Sequence, residues 1–300
     1  MTWLGDRRGH VSDWLTQRWV QATGRLVDLR ESPWLAGPVG ATTGIGADFV
    51  NDLARSEQLM VRTAGHVGLL PDFGVLTGNG FDAAAADPGV IDFYARTARY
   101  ELDSWAEWCG AFRPFGQLLA LMFSRRLQQL NVPLTGLDTS RGVSSEVAHL
   151  IDPQSGVIRH AVWLRRLLQT GHVLYAGCYS VTEIPGHGGP CVRVVFPLPN
   201  GNAMVLMRPE LAANGAVTVV SSGRRFGDPG FYFTVRAGPH QVWARYVRSL
   251  RESIHVYSAE SGTVRADHNL TLWGLPVLRL HYRLRTERGR PKKAPRLVVG

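Results

Sequence analysis

The 300-residue sequence predicts an α+β fold, with a helical N-terminal half packed on a C-terminal antiparallel, β-barrel-like sheet. Three observations carry this expectation. Apolar residues recur every three to four positions in stretches before residue 135. From residue 143 onward the pattern changes to short β-prone runs separated by turn signals, with no helical period between them. Hydrophobic residues make up 45% and charged residues 19%, the composition of a globular chain rather than a disordered or fibrous one. The expected organisation is a helical and loop region over residues 1–135, a barrel-like region over 143–284 and a flexible basic tail over 285–300.

Val11, Leu15, Trp19 and Ala22 form an i, i+4 stripe with Trp14 beside it and Arg18 on the flank. This predicts a helix that packs its stripe on its own domain, or else lies in a membrane interface. Residues 31–48 are rich in Gly and Pro and read as loop. Asp87 as N-cap and Pro88 at the first helical position open the clearest helix. Val90, Phe93, Tyr94, Thr97, Glu101, Trp105 and Trp108 continue it. A second helix is expected over residues 115–130, apolar nearly all round, ending before Pro133. Turns follow at residues 152–156, Thr170-Gly171, Asn214-Gly215, residues 227–230, Gly238-Pro239, Ser261-Gly262 and Gly274. Asn200-Gly201 is the pair that best specifies a tight hairpin. About eight to ten strands at this spacing would close or curve strongly, and a barrel of that size fills with side chains or holds one small ligand.

The 33 basic and 24 acidic residues give a net charge of +9. Lysine occurs only at Lys292 and Lys293, so residues 1–291 lack a primary-amine side chain. That excludes Schiff-base, pyridoxal-phosphate and P-loop chemistry, each of which needs a placed lysine. Most of the surplus charge sits in residues 283–300, in Arg283, Arg285, Arg288, Arg290, Lys292, Lys293 and Arg296 against Glu287. A charge confined to a tail does not predict specific nucleic-acid binding; it predicts at most a weak contact with an anionic membrane surface. Three cysteines without C-x-x-C spacing make neither a disulfide framework nor a redox motif. With no compact secretory signal and no run of 18 apolar residues, a cytoplasmic protein is expected.

The spacing Gly40-Ala41-Thr42-Thr43-Gly44-Ile45-Gly46 resembles the cofactor loop of short-chain dehydrogenases. That loop must follow a buried strand, and Ser32-Pro33-Trp34-Leu35-Ala36-Gly37-Pro38 is no such strand. The family's Tyr-x-x-x-Lys pair is also impossible here, so no cofactor is expected. His187-Gly188-Gly189 is similar to a lipase oxyanion loop, but no Gly-x-Ser-x-Gly accompanies it. Ser222-Gly223-Arg224-Arg225-Phe226-Gly227 has the residues to grip an anionic headgroup, or to end a strand in solvent.

His255, His268 and His281 are evenly spaced and would form a metal-facing row if both intervening turns held two residues. The flanking apolar residues argue otherwise. Ile254 and Val256 oppose His255, Leu280 and Tyr282 oppose His281, whereas His268 shares its face with Ala266 and Leu270. Aligning these faces requires an odd-numbered turn or a bulge, which turns His268 inward near Tyr282 and the other two outward. Asp267 and His268, as strand neighbours, face opposite ways and form no dyad. The candidate ligand-binding set is therefore His268, Tyr282, Tyr175 and Tyr179, with Arg193 on an undecided face. No catalytic or metal-binding set is assigned. The leading expectation is binding of a small apolar or amphipathic, lipid-like molecule in a cavity lined by Phe196, Phe231, Phe233 and Tyr282. The alternatives are a cofactor-independent isomerase, cyclase or hydrolase using His268 and Tyr282, and a peripheral membrane protein using the N-terminal helix and the tail.

Overall fold

The computed structural model describes residues 10–40, 46, 48–63, 66–110, 143–168, 171, 173–259 and 262–286. The helices are α1 (Val11–Thr23), α2 (Phe49–Glu57) and α3 (Pro88–Ala95). The early strands are β1 (Arg25–Asp28), β2 (Met60–Arg62) and β3 (Tyr100–Trp108). The main run comprises β4 (Val143–Ile151), β5 (Ile158–Leu167), β6 (Val173–Glu183), β7 (Pro190–Leu198), β8 (Gly201–Leu211) and β9 (Val217–Val220). It continues with β10 (Phe231–Arg236), β11 (Gln241–Val247), β12 (Leu250–Ala259), β13 (Thr263–Leu272) and β14 (Leu275–Thr286).

These strands form one 14-stranded antiparallel sheet in the order β2-β4-β5-β6-β7-β8-β9-β12-β13-β14-β3, with β10, β11 and β1 branching from β8. This corrects the expected fold twice. The sheet is not closed into a barrel, because among the described residues β2 and β3 end the path without pairing to each other. Nor do helices form an N-terminal half packed on it, since β1, β2 and β3 all come from that half.

The helix expected from Asp87 shows why. Asp87 caps it as predicted, its Oδ1 accepting from the amides of Gly89 (2.7 Å) and Val90. The helix then ends at Ala95, and β3 begins at Tyr100. Tyr100 and Leu102 are buried while Glu101, Asp103, Trp105 and Glu107 are exposed, a period of two that the three-to-four spacing of the tryptophans had masked. Pairing with β14 sets Glu101, Asp103 and Glu107 opposite Arg285, Arg283 and Arg279, so opposite charges meet at three of these four outward positions, and Trp105 stands opposite His281 at the fourth. Arg283 and Arg285 are thereby part of β14 and both donate to Asp103, at 2.9 and 2.8 Å, not part of a free tail. The helix expected over 115–130, the tail beyond Thr286 and most of the Gly40–Gly46 loop lie outside the described residues.

Several turns were displaced by one residue for identifiable reasons. Leu198 pairs with Gly201, so Pro199 and Asn200 occupy the hairpin tip, with Asn200 at φ 59°. Gly201 serves another purpose: a Cβ there would lie 2.0 Å from the Thr234 carbonyl oxygen of β10. Leu272 pairs with Leu275 across Trp273 (φ 51°) and Gly274 (φ 80°), a two-residue turn with both residues left-handed.

The sheet is strongly curved, with a core on each face. Inside the curve, Leu69, Leu70, Phe73, Leu76, Val90 and Phe93 plug one end against Trp163, Val194, Val256 and Leu284. Outside it, Trp34, Leu35, Phe49 and Leu53 pack with Tyr232 on Val162, Leu164 and Met204. His149 of β4 fastens the inner plug, its Nε2 donating to the Gly68 carbonyl at 2.7 Å; burial lowers its pKa and keeps the ring neutral. A Cβ on Gly68 would sit 2.2 Å from the Ala95 carbonyl carbon, backbone that cannot swing aside. Gly68→Ala is expected to destabilise the protein by about 3 kcal/mol, measured as a fall in the urea midpoint at unchanged slope.

Candidate functional site: an aromatic cage around Arg165

Alternation along the strands decides which side chains face inward. On β5 the inner face carries Ala161, Trp163 and Arg165, the last only 8% exposed. On β6 it carries Tyr175 and Tyr179, on β12 Glu252 and Ile254, on β13 His268 and on β14 Tyr282. The curl brings β5 across to β14. The guanidinium carbon of Arg165 lies 3.6 Å from the ring centre of Trp163, 4.9 Å from Tyr175 and 5.0 Å from Tyr282. The Tyr282 hydroxyl is near enough for the guanidinium to lower its pKa against the effect of burial. The Nε of Arg165, buried, has no hydrogen-bond partner among the described residues.

An arginine in such a cage is held chiefly by ring faces, each worth about 2 kcal/mol when desolvated. Tyr175 and Tyr179 join their hydroxyls at 2.6 Å. Burial raises both phenols and that of Tyr282 above the usual tyrosine range, and the Arg165 charge only partly offsets it. All three are therefore neutral donors. His268 stacks near Tyr282 with ring centres 6.5 Å apart. Its Nε2 lies 2.7 Å from Glu252 Oε1, an ion-pair distance, but the ring N–H axis points off the carboxylate and no hydrogen bond forms. Phe196 closes edge-on over Tyr175 at 5.4 Å.

Four of the sequence-predicted residues, His268, Tyr282, Tyr175 and Tyr179, thus come together. Arg193 does not. It shares the outer face of β7 with Cys191 and Val195, donating from Nε to Ser180 Oγ (2.9 Å) and from Nη1 to the Ala36 carbonyl (2.8 Å). Burial lowers its pKa. Arg165 and Glu252 were missed, although a period-two reading of β5 and β12 would have found both as charges on apolar faces.

The histidine spacing resolves as the alternation requires. The Ala259↔Thr263 pairing leaves a three-residue loop, and a bulge follows Leu270. His268 turns inward; His255 and His281 turn outward into one cross-strand row with Thr218, Asp267 and Trp105. There His281 Nδ1 lies 2.6 Å from Asp267 Oδ1 and His255 Nδ1 2.8 Å from Thr218 Oγ1. Among the described residues no group of three His, Cys, Asp or Glu is placed to hold a metal ion. The loop beginning at Ser222 already holds an anion of its own, since Asp228 Oδ2 accepts from the amides of Arg224 and Arg225.

α1 forms where expected but faces the wrong way. Val11, Leu15 and Trp19 are 53, 58 and 41% exposed, while Asp13, Gln17 and Val20 are buried. Gln17 explains the choice: its amide reaches the Pro199 carbonyl at the hairpin tip, 3.2 Å away. Trp19 meets Phe233 edge-on at 5.7 Å, and Phe233 and Phe196 flank Ala203 in register. Phe196, beside the Arg165 cage, and Phe233, against Trp19 of α1, thus lie in one cross-strand row on either side of Ala203. No described helix is long and apolar enough to cross a membrane. No protein-family model, curated protein or solved structure matches the chain.

Proposed function

We propose that a basin beside this cage binds a small amphipathic molecule, its apolar body against Phe196, Phe231 and Ile254 and its anionic head toward Arg165. The observation that supports this is the caged guanidinium: a buried charge with an uncommitted N–H beside half-exposed aromatic walls. Use of His268 and Tyr282 as an enzymatic pair has less to rest on, because stacking rather than a hydrogen bond joins them. The test is displacement of a fluorescent long-chain fatty acid from the full chain by competitors of equal length. A carboxylate should displace it best, the alcohol less well and the amine least; an amine that competes as well as the acid ends this reading.

The inverted orientation of α1 supports a second part of the same proposal, that the helix rests on a membrane surface beside the basin mouth. Leu15→Asp removes an apolar contact without touching the buried face. It is expected to weaken binding to anionic phospholipid vesicles at least about 10-fold, read by co-sedimentation. Unchanged sedimentation would exclude α1 as the contact.

A further inference from the structure

The sheet contains an internal split. β5 and β6 pair from Arg166↔Val173 to Ala161↔Tyr179 and no further. Both strands nevertheless continue, β5 against β4 back to Ile158 and β6 against β7 out to Glu183. The cause lies in β5, where Leu150 stands opposite His160 and Ile151 opposite Ile158, leaving Arg159 as an extra residue. A bulge bends its strand, and Asp152 holds this one in place with an ion pair to Arg159 at 2.9 Å.

A cleft of about 880 Å³ occupies the split. Leu69, Leu70 and Val181 line one side of it, Leu59 and Ser180 the other, and Tyr179 also borders it. Every second residue of an antiparallel strand turns its N–H and C=O to the same side. Residues 158–160 of β5 and Ser180 and Val181 of β6 line the cleft, and among the described residues no strand pairs with their backbone groups on that side. The charged side chains at the cleft are already committed. Glu57 pairs with His160 at 2.8 Å, Asp152 with Arg159, Asp72 caps the Gly74 amide and Arg193 donates to Ala36. What remains free is backbone hydrogen bonding and apolar surface. Val75 and Val157 on the rim are 47 and 52% exposed, and the adjacent edge strand β2 exposes Met60 and Val61.

We infer that the split is a docking site for an extended peptide segment of a partner protein. The segment adds as a strand to one of the two open edges and sets alternate apolar side chains against Leu59, Leu69, Val75 and Val157. Unsatisfied strand edges call for a polypeptide backbone, whereas an ionic ligand would find each charged side chain here already holding an ion-pair or hydrogen-bond partner. The site borders the basin at Ala161 and Tyr179, but its open strand edges lie outside the Arg165 cage, and the inference does not depend on the basin's ligand.

Selection on the full chain from a random nine-residue peptide library tests this. Enriched peptides should alternate apolar and polar residues. N-methylation of alternate amides, on the edge that meets the protein, should weaken binding at least about 30-fold, the loss of two backbone hydrogen bonds. Val157→Arg, a rim change that folding tolerates, should weaken it at least about 10-fold, and Leu15→Asp should leave it unchanged. Failure to enrich any peptide, or binding indifferent to N-methylation at every alternate set of amides, overturns the inference; the second result would assign the cleft to apolar capture alone. Because N-methylation alters the peptide and not the protein, misfolding cannot mimic the expected result.

Discussion

Raising the pH past about 10 is expected to unfold the protein in one cooperative step, with phenolate absorbance appearing only as the structure is lost. All eight tyrosines have pKa values raised, burial being the largest cause in each. A group whose folded pKa stands above its unfolded value stabilises the fold below that unfolded value. The contribution is then lost as pH rises through the folded value, so the window opens near pH 10. The hydroxyls of Tyr94, Tyr175, Tyr179 and Tyr282 are the most deeply placed, even where a ring edge lines the basin. Each withdraws up to about 1.4 kcal/mol per pH unit. Together they exhaust a stability of about 5–15 kcal/mol within about one to three units. Cys191, raised to about 11, and Cys178, raised further, begin the decline slightly earlier. Residues 1–291 contain no lysine, so no ammonium in the folded body discharges in this range to blur the transition. The measurement is a paired titration of near-ultraviolet absorbance and circular dichroism. Phenolate appearing gradually around pH 10 with the dichroism unchanged would show that the hydroxyls are wet.

The contrast between the histidine row and β3 shows what kind of information the sequence held. The orientation of His268 followed from side-chain alternation, because one residue of slip reverses a strand's faces and only an odd loop or bulge reconciles them. That constraint is local to a hairpin. The identity of β3 was not local: Glu101, Trp105 and Trp108 suit a helix face, while Tyr100 and Leu102 alternating with Glu101 and Asp103 suit a strand. The arginine ladder of β14, some 180 residues away, tips the balance. Closure was likewise illegible, since strand count and spacing do not say whether the two edges meet. The α1 stripe misled because apolar periodicity identifies a helix face without saying what it faces. Gln17 and Asp13, which lie outside that stripe, are on the buried side. Arg165 stands next to Arg166, which forms an ion pair with Glu146 on the opposite face, so the two adjacent arginines do different things.

Replacing Arg165 with Met is expected to abolish the preference for an acidic ligand while leaving the apolar part of binding intact. Met fills similar volume among Trp163, Tyr175 and Tyr282 but supplies no donor. A charge-assisted hydrogen bond in a desolvated site contributes about 1.5–3 kcal/mol, so carboxylate affinity should fall about 10- to 100-fold. The corresponding alcohol should change by no more than about 3-fold. Arg165→Lys keeps the charge but loses the planar fork that the three rings hold, so it should recover only part of the carboxylate affinity. Folding complicates the single variant, because Arg165 and Glu252 act on the same phenols and removing one leaves the other's charge in the basin. A buried charge left without compensation costs at least about 1–3 kcal/mol. The double variant Arg165→Met with Glu252→Gln removes both charges and should regain most of that stability. If the double variant folds and still binds the carboxylate as tightly as the unaltered protein, the guanidinium is a structural filling of the aromatic cage and the ligand's head lies elsewhere. A fall confined to the carboxylate, with the alcohol unmoved, is the result that only a recognition role produces, because a repacked cage would weaken both ligands alike.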